Sequence, residues 1–171
     1  MFGINYKNWI NENIKLKVIE YQKMLNVEPS WDDIEVGYAN TEDEKFMEFY
    51  KEEKCNHPKK LYRPGNTIVC HFIPISKELI KKYQDGDMDE KTWFKLCLDT
   101  RQVSRGITDA VTSTLQGFGR EVALLSQKEN WSHICGAEVA GLGKFEYKDN
   151  MFCIGDKIGY LGAVSTELKL D

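Results

Sequence analysis

The segment at residues 67–73 constrains the fold of this chain more than any other feature. It is almost continuously apolar and β-branched, and the turn signal Pro64-Gly65 stands just before it. A strand with one face in water alternates apolar and polar residues, whereas this run has almost no polar positions, as expected of a strand that is covered on both faces. We therefore predict that residues 67–73 form the central strand of a sheet.

The rest of the chain alternates helical and strand patterns. Apolar residues at helical spacing predict a helix at 8–25 and a long helix that residues 87–90 cap and Gly117-Phe-Gly119 ends. Thr41-Glu-Asp-Glu44 is the pattern of a capping box that opens another helix. Further strands are predicted at residues 34–38, 121–126, 152–154 and 158–166. This alternation around a buried strand predicts an α/β domain in three layers, with the sheet between helices.

Composition limits the classes of function. The 171 residues fit one domain, 1–171, which is large enough to bury a core without disulfides or metals. A net charge of -4 gives no electrostatic reason to expect nucleic acid as a partner. No apolar run reaches the roughly 18 residues of a membrane span, and the N-terminus lacks the pattern of a secretory signal. We expect a cytoplasmic protein with no membrane partner.

The cysteines do not form a recognisable framework. There are five of them and no Cys-x-x-Cys pair, which argues against structural disulfides and against a self-contained zinc or iron-sulfur site. Cys55-x-His57 and Cys70-His71 suggest zinc ligands, but neighbours in a strand point to opposite faces. His133 and Cys135 would share a face if that segment were extended, and such a pair is most often structural. We expect reduced thiols and no metal site.

The segment at 130–145 contains the residues that most suggest a binding site. It combines a tryptophan, a histidine and a cysteine with Gly141-Leu-Gly143. Glycine lets the main chain approach a flat ligand or present N–H groups to a phosphate. The third glycine of a dinucleotide-binding fingerprint is replaced by Glu146, so a Rossmann site is excluded. A binding loop and a simple helix C-cap followed by a turn both fit the two glycines.

Three motifs, in order, resemble the N-terminal domain of the epoxyqueuosine reductase-like iron-sulfur proteins. The first covers residues 63–78 and consists of a turn, a strand and Pro-x-Ser-Lys-Glu. The second, at 131–145, is Trp-Ser-His followed by Ala-Gly-Leu-Gly and a phenylalanine. The third is Gly-x-Leu-Gly-x-Val-x-Thr-x-Leu at 159–168. They lie within the last two-thirds of the chain. The candidate cofactor-binding residues that the resemblance provides are Trp131, Ser132, His133, Ala140, Gly141, Leu142, Gly143 and Phe145.

The resemblance implies a nitroreductase-like α/β/α sandwich around a mixed sheet. In this family and in reductive dehalogenases, such domains hold cobalamin or a related corrinoid against a sheet edge. By this resemblance, the backbone at 140–143 would approach the cofactor and Trp131 or Phe145 would pack on a ring face. Ser132 and His133 would donate hydrogen bonds to the side-chain amides or to a tail phosphate.

The chain departs from the family in two respects. Epoxyqueuosine reductases carry an aspartate general acid in a stretch where this chain has Ser126, Gln127 and Lys128, none of which supplies a carboxylic proton, so we assign no catalytic residue. The cysteine-rich ferredoxin segment of the relatives is also missing. We therefore expect no iron-sulfur cluster in this chain. Either the chain is a fragment or family member without the relay, or a separate ferredoxin-type electron donor is its partner.

Three functions stay open after this comparison. The leading hypothesis is a corrinoid-binding domain of a reductase that lacks its own electron relay. The alternatives are a noncatalytic binding or interaction module of the same fold and a flavin-dependent enzyme of nitroreductase type, because fold alone does not choose among them. The sequence leaves the substrate and any assembly into a homo-oligomer undecided.

Overall fold

A computed structural model describes residues 3–25 and 29–170. Helices and strands alternate along most of the chain, with a short 3₁₀ turn at Leu125–Gln127. The elements in chain order are α1 (Tyr6–Leu25), β1 (Glu35–Asn40), α2 (Glu44–Lys51), α3 (Pro58–Leu61), β2 (Thr67–Pro74), α4 (Lys77–Gln84), α5 (Glu90–Gly117), β3 (Val122–Leu124), α6 (His133–Val139), β4 (Glu146–Lys148), β5 (Met151–Ile154) and β6 (Lys157–Thr166).

The domain is a mixed α/β structure with an antiparallel sheet of six strands among the described residues. The sheet order is β1-β2-β6-β5-β4, and β3 pairs with the opposite edge of β6 from β2. β2 pairs with β6 along its whole length, and all eight of its residues are buried. The predicted central strand is therefore confirmed.

The mixed sheet expected from the sequence is wrong, because every strand pairing in the described part of the chain is antiparallel. β2 and β3 are joined through α4 and α5 and run in the same direction. However, β6 lies between them and is antiparallel to both. No two parallel strands therefore become hydrogen-bonded neighbours.

The side chains of β2 divide between two apolar clusters on opposite faces of the strand, as its pleat requires. Val69 and Ile73 pack with residues of α1 and α5. Cys70 and Phe72 face the other way, toward Trp131 and Ala137. The sequence-based expectation that Cys70 and its neighbour His71 point to opposite faces is confirmed, since His71 contacts Ser104 of α5. Cys70 and His71 are thus not joint zinc ligands.

Helices α1 and α5 pack closely at a glycine. A Cβ on Gly106 would lie 2.3 Å from Cε2 of Tyr21, so only glycine lets α1 approach α5 at this level. Ile10 and Ile14 fill the rest of the contact. The helices within residues 3–25 and 29–170 include none that is long and apolar enough to cross a membrane.

Two predicted helix starts have different outcomes. Asp89 caps α5, because its carboxylate accepts a hydrogen bond from the N–H of Thr92 at 2.6 Å. The capping box at Thr41 is wrong. Asp43 is the N-cap of α2, and Thr41 is instead buried and donates its hydroxyl proton to the carbonyl oxygen of Gly65 at 2.9 Å. The hydroxyl of Thr41 is used by the buried turn at Gly65, so it does not cap the solvent-exposed start of α2.

The other predicted elements are largely confirmed. Helix α1, the long helix α5 and strands β1, β5 and β6 lie where the sequence patterns place them. The strand predicted at 121–126 is shorter than expected: β3 covers only Val122–Leu124, and the 3₁₀ turn replaces its second half. Gly119, in the left-handed region with φ of 73°, follows the end of α5 as predicted.

Candidate functional site

The Trp-Ser-His motif forms the start of helix α6. Ser132 is the N-cap, and its hydroxyl oxygen accepts a hydrogen bond from the N–H of Cys135 at 3.3 Å. The sequence interpretation missed this helix, because seven residues are too few to show a helical period. His133 and Cys135 do not share a face as they would in an extended segment, since two residues in a helix are about 200° apart.

Trp131 has a well-defined position beside α6. A Cβ on Gly136 would lie 2.6 Å from Cζ2 of Trp131, so the indole rests where that glycine has no side chain. The indole N–H donates a hydrogen bond to Nδ1 of His133 at 3.0 Å, and the ring also packs near Phe46 at a centroid distance of 6.3 Å. The indole is half-buried and keeps part of its surface open.

His133 is held in its neutral form. Burial lowers the pKa of its imidazole to about 4. Nδ1 accepts the indole proton of Trp131, so the neutral ring carries its own proton on Nε2. The ring meets Phe152 edge to face at 6.2 Å. At neutral pH His133 is therefore an uncharged hydrogen-bond donor through Nε2 and contributes no positive charge.

The Gly-Leu-Gly turn ends helix α6. Gly141 has a φ of 82°, and its N–H donates to the carbonyl oxygen of Glu138 at 3.1 Å. The N–H of Leu142 donates to the carbonyl oxygen of Ala137 at 3.0 Å, which completes a Schellman motif with Ala140 as the C-cap. The turn thus has the helix-capping geometry that was one of the two interpretations of the glycines. A Cβ on Gly141 would meet no atom within 4 Å, so its backbone is open to solvent.

The residues around this turn pack into the domain. A Cβ on Gly37 of β1 would lie 2.5 Å from the carbonyl oxygen of Ala140, and one on Gly143 would lie 2.4 Å from Cδ1 of Ile154. Leu142 also packs against two buried clusters, one that contains Cys70 and one that contains Phe72.

Phe145 belongs to the core. Its side chain is 5% exposed, and its ring packs on Phe72 at a centroid distance of 4.8 Å. Of the two aromatic residues expected to face a cofactor ring, Trp131 is the one with accessible surface.

A cavity of about 400 Å³, which we name the α2–α6 cavity, lies where the loop after α2 meets the segment before α6. The two walls are joined by a hydrogen bond of 2.7 Å from the N–H of Asn56 to the carbonyl oxygen of Asn130. Trp131 is the predicted site residue that lines it, whereas Gly141 and Gly143 line neither this cavity nor three others found in the described residues. The lining residues are Tyr50, Glu53, Lys54, Cys55, Asn56, Asn130 and Trp131.

Both walls of the α2–α6 cavity contain left-handed backbone. Glu53 has a φ of 58° and Asn130 a φ of 59°. Asparagine tolerates this region well, whereas glutamate does so at a cost of about 1 kcal/mol or more. Glu53 follows the C-cap of α2: its N–H donates to the carbonyl oxygen of Tyr50 and the N–H of Lys54 to that of Phe49, so its left-handed backbone ends the helix as that of Gly141 ends α6.

Two thiols meet next to this cavity. Cys55 and Cys135 are each 6% exposed, and each side chain affects the pKa of the other. The Cys55 side chain lowers the pKa of Cys135, with help from the Ser132 hydroxyl and the Lys54 ammonium, while burial opposes this. The same interaction raises the pKa of Cys55. The sequence interpretation missed this pair, because the two residues are far apart along the chain and only the tertiary fold brings them together.

The remaining histidines have structural partners. His57 caps α3, since its Nδ1 accepts a hydrogen bond from the N–H of Lys59 at 3.2 Å. His71 is 1% exposed and has its Nε2 2.8 Å from the Ser104 hydroxyl oxygen. In the stretches that the structure covers, no group of three or more histidine, cysteine, aspartate or glutamate residues is arranged to hold a metal ion.

The chain was also compared with known proteins. No family model, no curated protein and no solved structure matches it.

Proposed function

We propose that this chain is a corrinoid-binding domain of the epoxyqueuosine reductase-like type, with a nitroreductase-like three-layer fold, and that the ligand enters at the α2–α6 cavity. The observation that carries the proposal is the position of Trp131. It belongs to the motif that resembles the family, it lines the cavity, and Gly136 and His133 hold its ring in place. A rigid aromatic face beside a cavity is a typical feature of a site for a flat ligand.

The size of the cavity determines how a corrinoid would sit. About 400 Å³ is at the lower end of the range for small-molecule sites. It accepts the edge of a corrinoid or one of its amide arms, and the macrocycle would lie across the mouth. The indole of Trp131 would then pack against the ring or its substituents.

The polar groups of the cavity suit such a ligand. The side-chain amides of Asn56 and Asn130 both donate and accept hydrogen bonds, as the amide arms of a corrinoid require. Lys54 offers a positive charge to a phosphate. Its present partner is Glu52, at 2.6 Å on an exposed surface, and such pairs are weak enough to exchange for a ligand.

Binding is proposed here without a catalytic step assigned to this chain. The positions where the relatives carry their acid contain Ser126 and Gln127, which lie in the 3₁₀ turn, followed by Lys128. None of them is a carboxylic acid, so a proton donor would have to come from elsewhere. A reduction at the bound corrinoid would also need a separate ferredoxin-type electron donor.

The proposal is tested by titration of the purified protein with hydroxocobalamin and, in parallel, with flavin mononucleotide. After gel filtration we expect corrinoid absorbance in the protein fraction and no flavin absorbance. Trp131→Phe and Lys54→Gln should each weaken corrinoid binding about tenfold, or about 1.4 kcal/mol. Trp9→Phe is the matched control, because Trp9 is half-exposed on α1, and it should bind as the parent does.

Gly141→Val distinguishes the cavity from the turn after α6. If the corrinoid lies in the α2–α6 cavity, this variant keeps its affinity, since Gly141 does not line that cavity. Lost binding in Gly141→Val, together with normal binding in Trp131→Phe, would contradict the proposed position and favour the turn. Retention of flavin alone, or of neither compound, would contradict the corrinoid proposal and favour the flavin enzyme or the noncatalytic module, respectively.

A further inference from the structure

Helix α1 has apolar residues on two sides, and the domain covers one of them. Ile10 and Ile14 are 0% and 2% exposed and pack with residues of α5, whereas Leu16 and Ile19 are 63% and 49% exposed. At about 100° per residue, Leu16 and Ile19 lie on the side of the helix that is turned away from Ile10 and Ile14. A surface helix ordinarily has one apolar stripe, so a second stripe indicates a side that packs against another molecule.

The exposed side of α1 has the spacing of a contact between two helices. Glu12, Leu16, Ile19 and Lys23 follow one another at intervals of four, three and four residues, and all four are exposed. This is the spacing at which two helices pack along one line of contact. We name these four residues the α1 seam. Its two central positions are apolar, and its two outer positions have opposite charges.

The charges of the α1 seam determine the direction in which a second copy pairs with it. Glu12 and Lys23 are equally far along the helix from the midpoint between Leu16 and Ile19. When two copies pair antiparallel about that midpoint, Glu12 of each lies opposite Lys23 of the other. A parallel pair would bring each of these residues against its own copy, and like charges in contact oppose association. The α1 seam is therefore complementary to itself in the antiparallel direction, as a two-fold contact requires.

The present contact of Glu12 competes only weakly with such a pairing. Its carboxylate lies 3.2 Å from the ammonium group of Lys15, and both side chains are more than half exposed. Ion pairs on an exposed surface contribute little to stability. Glu12 can therefore exchange Lys15 for Lys23 of a second copy at little cost.

We propose that the protein forms a symmetric dimer in which two copies of α1 pair antiparallel along the α1 seam. The contact buries Leu16 and Ile19 of both copies and joins Glu12 to Lys23 twice, because the two-fold axis repeats every contact. The contact involves one helix of 20 residues per chain, about 30 Å long, and such an interface is small. The dimer is therefore weak and reversible, and it forms at high protein concentration.

The dimer leaves the α2–α6 cavity of each copy accessible. α1 packs on the side of the sheet that Val69 and Ile73 face, whereas Trp131, which lines the cavity, packs on the side that Cys70 faces. The two cavities therefore lie away from the shared contact. This inference concerns α1 alone and does not depend on the identity of a cofactor.

Analytical ultracentrifugation of the whole chain, from about 5 to about 500 µM, tests the proposal. We expect the mass to rise with concentration from that of one chain, 19.8 kDa, toward that of two. Leu16→Glu should remain monomeric throughout, because it places a charge at the centre of the contact. Phe94→Glu is the matched control, since Phe94 on α5 is also 63% exposed, and it should dimerise as the parent does.

Exchange of the two charges tests the antiparallel direction. Glu12→Lys and Lys23→Glu should each raise the dissociation constant at least tenfold, because either change brings like charges together at two places. The double variant Glu12→Lys/Lys23→Glu restores both pairs and should dimerise as the parent does. An equimolar mixture of the two single variants should also form dimers, each with one copy of either variant, although neither variant does so alone.

A parent chain that stays monomeric over the whole range would overturn the proposal and leave the α1 seam to a different partner. A parent dimer that Leu16→Glu does not weaken would also overturn it, because the contact would then lie elsewhere. Single charge variants that dimerise as the parent does, or that neither the double variant nor the mixture rescues, would exclude the antiparallel pairing. Circular dichroism melts of every variant show that it is folded.

Discussion

His71 illustrates how the fold fixes the protonation of a single residue. It is buried between β2 and α5, and a Cβ on Gly162 would lie 2.3 Å from its Cε1, so the ring occupies space that only a glycine leaves free. Burial, with a smaller effect of His133, lowers the pKa of His71 to about 3. In the unfolded chain a histidine titrates near about 6.5.

This difference predicts how stability depends on pH. Between about pH 6.5 and 3 the unfolded state binds a proton that the folded state does not, so the contribution of neutral His71 is complete above about 6.5 and is lost as the pH falls. From pH 8 to pH 5 the free energy of unfolding should fall by about 2 kcal/mol because of this residue. Urea unfolding at the two pH values measures it.

Two variants complete that measurement. His71→Leu should show a pH dependence that is smaller by the same amount. Thr100→Val removes a buried hydrogen bond with the indole N–H of Trp31 but no titrating group, so it should lower stability equally at both pH values. An unchanged pH dependence in His71→Leu would show that His71 is not the residue responsible.

The thiolate of Cys135 also gives a prediction at this scale. Its alkylation by iodoacetamide should rise with pH to a plateau, with a midpoint below the value of about 8.5 for an unperturbed cysteine, whereas Cys97 should have a midpoint at about 11. Mass spectrometry of quenched digests follows both residues in one sample. A midpoint for Cys135 at or above about 8.5 would contradict the effect of Cys55 on its pKa.

At the scale of elements, the contact between β1 and the end of α6 depends on one glycine. Gly37→Ala would place a methyl group 2.5 Å from the carbonyl oxygen of Ala140, which the helix C-cap holds in position. We expect a loss of about 2 kcal/mol or more in the free energy of unfolding, because overpacking moves two elements apart. Thermal or urea unfolding would detect it.

Gly141→Ala is the matched control for that variant. A Cβ on Gly141 meets no atom within 4 Å, but its φ of 82° is unfavourable for alanine. The cost should be about 1 kcal/mol, from the backbone conformation alone. If Gly37→Ala is no more destabilising than Gly141→Ala, the contact between β1 and α6 is looser than its geometry indicates.

The elements that the sequence could predict are those with enough residues to show a period. α5 has 28 residues with a clear apolar face, and β2 is buried throughout and apolar at most positions. α6 has only seven residues, and the tryptophan and histidine at its start suggest a binding site rather than a helix: Trp131 precedes the N-cap and His133 is the first helical residue. The capping box failed for another reason: Thr41 and Asp43 are both suitable caps, and only the position of the Gly65 turn decides which one is used.

At the scale of the whole molecule, the candidate site was predictable in part. The motif at 131–133 pointed to Trp131, which does line the cavity. The opposite wall comes from the loop after α2, and no local pattern connects that loop with the motif. The thiol pair was unpredictable for the same reason, since Cys55 and Cys135 meet only when α2 and α6 pack together. Strand order was also beyond local patterns, which do not show that β6 inserts between β2 and β3.

The position of β6 has a consequence for synthesis on the ribosome. β6 pairs with β2, β3 and β5, yet it is translated after all three. Until residue 166 has left the exit tunnel, β2 presents an unpaired edge along a strand that is apolar at most positions, with only β1 beside it. Such an edge readily pairs with other chains. The nascent protein thus depends on protection during the time in which roughly the last hundred residues emerge, at about 5 to 20 residues per second.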